Sequence, residues 1–473
     1  MTQLKATLKN YGLRLVRKRA EADFRPAVPL RAESWGLSHG AEGLVLDGVP
    51  LAGLADAYGA PLHVLSPTRL TRNCSDFLAL PGNVHRPHDV FVSYKTAPVP
   101  SLLRTVHATG IGAEVISEGE LELALSLGVS GSRIIYNGPV KSDESLHRSA
   151  VEGVHLVNIN HREEVPRVER AAAQAGTRLR VGLRVNCLGG WAGQFGEPEG
   201  AAAIATARDI AASPHLDFVA IHVHLGHVDS RDDVRRIASA CAGVAADISA
   251  RVGADISVVD IGGGLRTPTV RELSGMEKRR NSLLYEDLKR PSPADVYSIR
   301  DYVADAHESV NAAFAGRGLS LPSIVMEPGR ALVGDAQLLI TQVKDRRRVE
   351  GRDLLILDAG INIADPVRGE FHEIFPLTRL GSPTRRYKLV GPICVPTDSI
   401  RSTWYGPELE RGDYLAIMDS GAYFVPWSNS FSFPRPAIVS VEDGKARTVR
   451  AGETLDYLTA LDASQKPRSA PTV

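Results

Sequence analysis

HDVFVSYKTAPVPSLLRTVHATG, residues 88–110, decides how the rest of the chain is read. Val90, Val92 and Tyr94 alternate as the apolar positions of a strand, and the run breaks at Lys95 into Thr-Ala-Pro before a helical pattern begins. A lysine is thus placed at the carboxyl end of a strand that leads into a helix. Taken alone it reads as a solvated loop residue. It gains meaning only if the same unit repeats, because repeated strand–helix units build a parallel sheet whose strand ends converge on one face.

The unit does repeat. Working outward, β-like segments end near Lys95, Ser117, Gly138, Asn160, Asn186, His224, Gly263 and Arg330, each followed by a helix-like stretch such as EGELELALSLGV or REEVPRVERAAAQAG. Eight such units predict an α/β fold with a closed (β/α)8 TIM-like barrel rather than an open doubly wound sheet. Runs crowded with Val and Ile, as in DISVVDIGG and SIVMEPGR, suit strands buried on both faces. One connection breaks the rhythm: residues 265–297 are long, charged and proline-bearing, which fits either a disordered insertion or an active-site lid.

Beyond residue 331 the pattern becomes β-rich. LVGDAQLLITQVKD, RDLLILDAG, RRYKLVGPIC, GDYLAIMDSGAY and RPAIVSVEDGKARTVRAG are β runs separated by Gly, Asp and Pro turns, predicting a small barrel or a sandwich. The expected organisation is a basic amphipathic extension at 1–35, a lead-in segment of the β-domain at 36–65, the barrel at 66–333, the β-rich domain at 334–460 and a disordered tail at 461–473. In the extension, Leu4, Leu8, Tyr11 and Leu15 recur at helical spacing among Lys5, Lys9, Arg14, Arg17, Lys18 and Arg19. A transit peptide or surface-binding helix shares that pattern, but the absence of serine enrichment favours an extra helix, docked or frayed.

Composition narrows the partners. The 473 residues suffice for two cores, and 55 basic against 55 acidic residues leave no net field to favour nucleic acid or an anionic membrane. A small-molecule partner is expected. Cys74, Cys187, Cys241 and Cys394 form no CxxC pair, which argues against a zinc site or a disulfide framework and for a reducing, cytoplasmic setting. No apolar run approaches the roughly 20 residues of a membrane helix.

The strand ends carry a coherent chemistry. They present Lys95; Glu118 and Glu120; Asn137; His224 in IHVHLGH; Gly262, Gly263 and Gly264; and Glu327 with Arg330 in MEPGR. These are the groups a pyridoxal 5'-phosphate site requires. A lysine amine condenses with the aldehyde, glycine N–H groups and an arginine fork hold the phosphate, a carboxylate meets the pyridine nitrogen, and a histidine lies against the ring. A zinc site on His222 and His224 is the main competitor. It has no cysteine nearby, and no metal is expected.

The motifs PLHVLSPTRL, SYKTAP, EVISEGELELALSLGV, RIIYNGPVKSDESL, LRVN, HVHLG, DIGGGL, MEPGR, LDAGIN, GPICVPTD and SGAY run from about residue 60 to 440. In them the chain resembles the fold-type III, PLP-dependent ornithine and diaminopimelate decarboxylases, the latter more closely. The resemblance implies the alanine racemase-like barrel-plus-β architecture and a head-to-tail homodimer with shared active sites. It implies Lys95 as the cofactor lysine, His224 on the ring and Glu327 at the pyridinium, with His227, Gly262, Gly263, Gly264, Gly329, Arg330 and Tyr423 around the phosphate. Cys394, supplied by the partner, would protonate the carbon that loses carbon dioxide, with Asp398 beside it.

Departures from the family bear on substrate. Val395 follows the cysteine where the family has a carboxylate for the substrate's distal amine, and an apolar side chain cannot hold an ammonium. LDAGINIADPVRG puts Asp365 near the place of an arginine that grips the distal carboxylate, with Arg368 the nearest cation. VSYKTAP lacks the usual tyrosine three residues before the lysine, His227 stands where a serine is frequent, and Gln194 replaces a lysine. The expected function is therefore decarboxylation of an amino acid or amino-acid-derived intermediate other than diaminopimelate. The alternatives are authentic diaminopimelate decarboxylase, a racemase, and a PLP-binding protein without turnover. A racemase of this type prefers arginine at the pyridine nitrogen, so Glu327 argues against it.

Overall fold

Short Val-, Ile- and Leu-rich segments closed by polar turns form the eight expected barrel strands. The computed structural model describes residues 28–41, 43–82, 87–189, 193–292, 297–349 and 352–462. The amphipathic helix expected before residue 20 and the tail expected after 462 lie outside these residues. The chain divides into two units.

Strand β1 (Leu62–Leu65) belongs to the β unit, after which the chain enters the barrel. The barrel strands are β2 (Asp89–Ser93), β3 (Gly112–Val115), β4 (Ile134–Tyr136), β5 (Leu156–Ile159), β6 (Leu179–Asn186), β7 (Leu216–His222), β8 (Val258–Asp260) and β9 (Ser323–Met326). All neighbours are parallel. Val259 pairs with Ile324, Val325 with Asp89, and Val157 of β5 with Val181 of β6, which closes the ring. Burial on both faces explains why β2 carries Val90, Phe91 and Val92 in succession and why β3 is buried along its whole length. Helix α1 (Glu118–Ser126) opens on Ser117, whose side chain accepts the Glu120 N–H, a cap that stops β3 and turns the chain at its carboxyl end.

The β unit is assembled from three stretches of chain, within residues 28–69, 269–292 and 335–462. Its spine is β10 (Gln337–Val349), which pairs antiparallel with β1, with β11 (Arg352–Leu357) and with β14 (Tyr414–Ile417). β12 (Arg385–Val390) lies parallel to β11 and antiparallel to β13 (Ser399–Gly406), and β15 (Ala437–Glu442) lies parallel to β1. Period-two alternation lets β10 feed two cores. Leu338 and Ile340 join Trp35, Val64 and Met418 on one side, whereas Leu339 and Val343 join Leu355, Tyr387 and Phe424 on the other.

The connection at 265–297 departs from the barrel boundaries expected at 66–333: residues 269–292 group with the β unit instead of the barrel. Arg271–Glu272 pairs with Glu370–Phe371, and helix α2 (Gly275–Leu283) begins with a Ser274/Glu277 capping box. Asn281 then donates to the Thr403 carbonyl and Arg290 to Glu373. These contacts make the segment an ordered part of the β unit. Among the described residues no helix is long and apolar enough to cross a membrane.

Candidate active site

The carboxyl ends of the barrel strands gather titratable groups around Lys95. That lysine is half-buried on the three-residue turn that follows β2. Glu114 on β3 accepts the Ser93 hydroxyl at 2.5 Å and the Asn137 amide at 3.0 Å. The same Asn137 nitrogen donates to Glu327 at 2.6 Å, and Asn158 on β5 bridges Asn137 at 2.8 Å and Asp260 at 3.0 Å. Lys141 closes the rear of this network, donating to the carbonyls of Gly138 and Asn158 and to Glu164 at 2.8 Å.

Three carboxyls inside one barrel cannot all be charged at low cost. Burial raises Glu327 well above the ordinary carboxylate range, and the neighbouring Asp260 and Glu114 push it further. Asp260 rises to about 6 for the same first reason, and the two side chains share a hydrogen bond. Burial therefore favours the protonated form of Glu327 beside Asp260. His222 and His224 fall well below the ordinary histidine value through burial, with Lys95 and Arg184 adding to the effect. His222 Nε2 lies 3.7 Å from Glu327, but a neutral imidazole beside a protonated carboxyl is not an ion pair. Glu120, near Lys95, is lifted to about 7 by burial although Lys95 opposes it.

The glycine triplet is dictated by close approach. A Cβ at Gly262 would fall 2.4 Å from His224 Nδ1, at Gly263 2.3 Å from the Glu327 carbonyl and at Gly264 2.2 Å from the Leu225 carbonyl. Gly262 and Gly264 also have φ of +66° and +100°. One sequence expectation is corrected here. The Gly262 N–H donates to Asp260 at 2.9 Å and the Gly263 N–H to His224 Nδ1 at 3.2 Å. Only the Gly264 N–H has no partner among the described residues, so the turn offers a phosphate one N–H instead of three. His224 sits two residues beyond β7 with its ring fixed by that Gly263 bond, whereas His227 is exposed. Gly329 and Arg330 are half-buried at the start of the short helix Arg330–Val333.

In the β unit, Cys394 presents an exposed thiol. Asp398, expected beside Cys394 and among the substrate contacts, has both oxygens engaged by backbone: they accept the N–H groups of Ile361 and Ile393, each at 2.9 Å. That leash draws Gly391 against Gly360, where a Cβ on Gly391 would meet the Gly360 Cα at 2.2 Å. Asp365 and Arg368 form an ion pair of 3.0 Å within one 3-10 turn, and Val395 is half-buried. Tyr423 takes φ of +67° and stacks on Trp427 at 4.8 Å.

The family model for the pyridoxal binding domain of pyridoxal-dependent decarboxylases matches residues 70–334, which span the whole barrel. The chain belongs to this family. Diaminopimelate decarboxylase of Aquifex aeolicus is 29% identical over 442 residues, covering 88% of this chain and 94% of that protein. The Mycobacterium tuberculosis enzyme of the same name is 28% identical over 445 residues. A solved structure from Aquifex aeolicus matches with a TM-score of 0.75 at 26% identity, covering 91% of this chain and 99% of the other. Diaminopimelate decarboxylase from M. jannaschii in complex with L-lysine matches with a TM-score of 0.80 at 21% identity, a likeness of fold.

This decarboxylase is a PLP-dependent carboxy-lyase, and its barrel suits that cofactor. The amine of Lys95, the proton held at Glu327 and the unpartnered, buried ring nitrogens of His222 fit the aldehyde and pyridine ends of such a molecule better than a solvent-filled space. His222, His224 and Glu327 also bring ligand atoms within 4.8 Å of one another. Burial keeps both histidines neutral, and the neighbouring charges of Lys95 and Arg184, which add to that effect, oppose a metal cation there.

Four members of this site escaped the sequence reading: Glu114, Asn158, Arg184 and Asp260. Glu114, Asn158 and Asp260 sit within apolar strands, where a lone polar residue reads as an exception to the pattern, and Arg184 shares its strand with Arg180, which is exposed. Asp260, directly before Ile-Gly-Gly-Gly, was the one with a usable signal, since an acid at a glycine turn caps its free N–H groups.

Proposed function

We propose that the enzyme decarboxylates an amino acid or amino-acid-derived biosynthetic intermediate whose distal end differs from that of diaminopimelate. The observation that carries this reading is the 3.0 Å ion pair between Asp365 and Arg368. Arg368 is the cation best placed by sequence to replace the family's carboxylate-gripping arginine, and its charge is already answered within its own turn. Val395 removes the other polar contact. Authentic diaminopimelate decarboxylase is the second reading, favoured by the 29% identity that spans 88% of the chain.

In this reading Lys95 holds the aldehyde carbon, His224 lies against the ring and Glu327 keeps a proton for the pyridine nitrogen. Arg330, Tyr423, His227, the Gly264 N–H and the Gly329 backbone would hold the phosphate, with Gly262 and Gly263 shaping the turn that brings them there. When bound, pyridoxal phosphate supplies an electron sink for the pair left by the departing carboxylate. His224, neutral and oriented by Gly263, adds a flat face without adding charge. Cys394 delivers the proton to the carbon that loses its carboxylate. Its exposure in a single chain fits donation across a homodimer interface. Asp398 acts through Cys394, fixing the 391–398 loop by its two backbone bonds.

Carbon dioxide release from meso-diaminopimelate, set against a panel of α-amino acids and amino-acid conjugates, tests the substrate assignment. Slow or absent release from diaminopimelate with faster release from a conjugate is expected. Turnover of diaminopimelate at roughly 1 per second or more, ordinary for enzymes, would establish the second reading instead.

A further inference from the structure

The ordered insertion creates a site that the decarboxylation chemistry does not use. Where α2 meets β13 there is a cavity of about 160 Å³, lined on its polar side by Lys278, Asn281, Arg368, Ser399, Arg401 and Ser402. Every one of these residues belongs to the β unit.

The charge inventory of this cavity is unbalanced. Arg271 is answered by Glu277 at 2.7 Å, Arg290 by Glu373 at 2.8 Å and Asp287 at 2.9 Å, and Arg368 by Asp365 at 3.0 Å. Among the described residues, Arg401 and Lys278 have no carboxylate within ion-pair distance. Arg401 is only 5% exposed, and of its five N–H donors one bonds within the protein, to the His372 carbonyl at 2.6 Å. Its face lies over Phe371 at 5.1 Å. Burial lowers its pKa to about 10 against the pull of Asp287 and Glu373. The Ser399 hydroxyl, buried at the same cavity, has no partner among the described residues. Asp287 and Glu373 answer part of that charge from a distance, but among the described residues only one of the five N–H donors has a bond, and the oxygens of an anion fit the rest.

We propose that this cavity binds the anionic oxygens of a small ligand, a carboxylate or a phosphate, held by Arg401 and Lys278 with the Ser399 hydroxyl donating. Its volume admits a phosphate or one end of a dicarboxylate. Two sources share that chemistry: a carboxylate carried by the amino-acid substrate itself, and a free metabolite. The insertion supplies Lys278 and Asn281, so a relative without this helix lacks the site.

Titration calorimetry of the holoenzyme with inorganic phosphate and with succinate, at constant ionic strength, tests the proposal without reference to turnover. A single saturable site is expected. Lys278→Ala and Arg401→Gln should each weaken it roughly tenfold or more, the loss of one charge-assisted contact, and Ser399→Ala a few-fold. Arg401→Gln can disturb the fold, so its circular dichroism is compared with the parent. Lys278 is exposed, and its variant carries the test alone if the other unfolds. Absence of saturable binding for both anions, or unchanged affinity in folded Lys278→Ala, overturns the proposal. If bound succinate or phosphate raises KM for the amino acid and leaves kcat alone, the anion belongs to the substrate. If KM is unmoved, it belongs to a separate metabolite.

Discussion

Lys95 sits where a strand hands over to a helix, but what makes it a reactive residue is the company of groups whose protonation the barrel controls. Lys95→Ala should abolish turnover together with the visible absorbance of the lysine-bound cofactor, and an unchanged spectrum would refute its assignment. Gly263→Ala tests the turn. The added Cβ cannot coexist with the Glu327 carbonyl at 2.3 Å, so the variant should lose about 1–3 kcal/mol in urea unfolding and release cofactor on dialysis. Asp419 offers a pH signature in the β unit. It is buried, accepts the Trp35 indole and Thr269 hydroxyl, and burial raises its pKa from 3.8 to about 6. Because the folded state binds this proton more tightly, its contribution to stability is complete below the ordinary value and is lost as pH rises through about 6. Across that window the wild type should lose about 3 kcal/mol relative to Asp419→Asn. A difference between the two proteins that stays constant from acid to neutral pH would sink the assignment.

At the scale of elements, what could be read in the sequence follows from what was periodic. The eight barrel strands announced themselves through apolar runs and glycine or proline turns, and the strand ends then yielded Lys95, His224, the glycines and Glu327. The segment at 265–297 stayed ambiguous for a physical reason: the buried side chain of α2 is Asn281, so the helix has no apolar stripe to count. Its capping box was legible, its docking was not. That docking runs through polar bonds of Asn281 to Glu286 and Thr403, so Asn281→Ala should cost about 1–3 kcal/mol and speed proteolytic cleavage near residue 280. The 391–398 loop obeys the same logic. Asp398 is legible as an acid near a cysteine, but its direction depends on two backbone N–H groups that no spacing reveals. Asp398→Ala should lower kcat while the cofactor absorbance persists, whereas a raised KM with kcat intact would return it to the substrate.

For the whole molecule, the balance of 55 basic and 55 acidic residues and a sequence pI near 7.3 give no long-range field for steering a polyanion. Recognition must be local, which is why unanswered charges such as Arg401 carry weight. The proposed homodimer with Cys394 donated in trans has a direct test in mixing. Lys95→Ala and Cys394→Ala should each be nearly inactive, yet after co-refolding half the dimers would be mixed and each would own one intact site. Recovery of roughly a quarter of wild-type activity is expected from that statistics. No recovery in verified mixed dimers would confine Cys394 to its own chain.

The interleaving of the β unit also bears on how the protein is made. Strand β1 is buried along its whole length, with three apolar side chains beside His63, yet the partners on its two sides, β10 and β15, begin only at Gln337 and Ala437. During synthesis it emerges from the ribosome with both hydrogen-bonding edges open, and it must wait while the intervening barrel is translated and folds. A nascent chain of this design carries an adhesive strand near its leading end for most of its elongation, and any stop codon before residue 437 leaves one edge open for good. Chaperone occupancy near residues 62–65 should therefore persist until the last strands appear, and truncated products should aggregate through that segment.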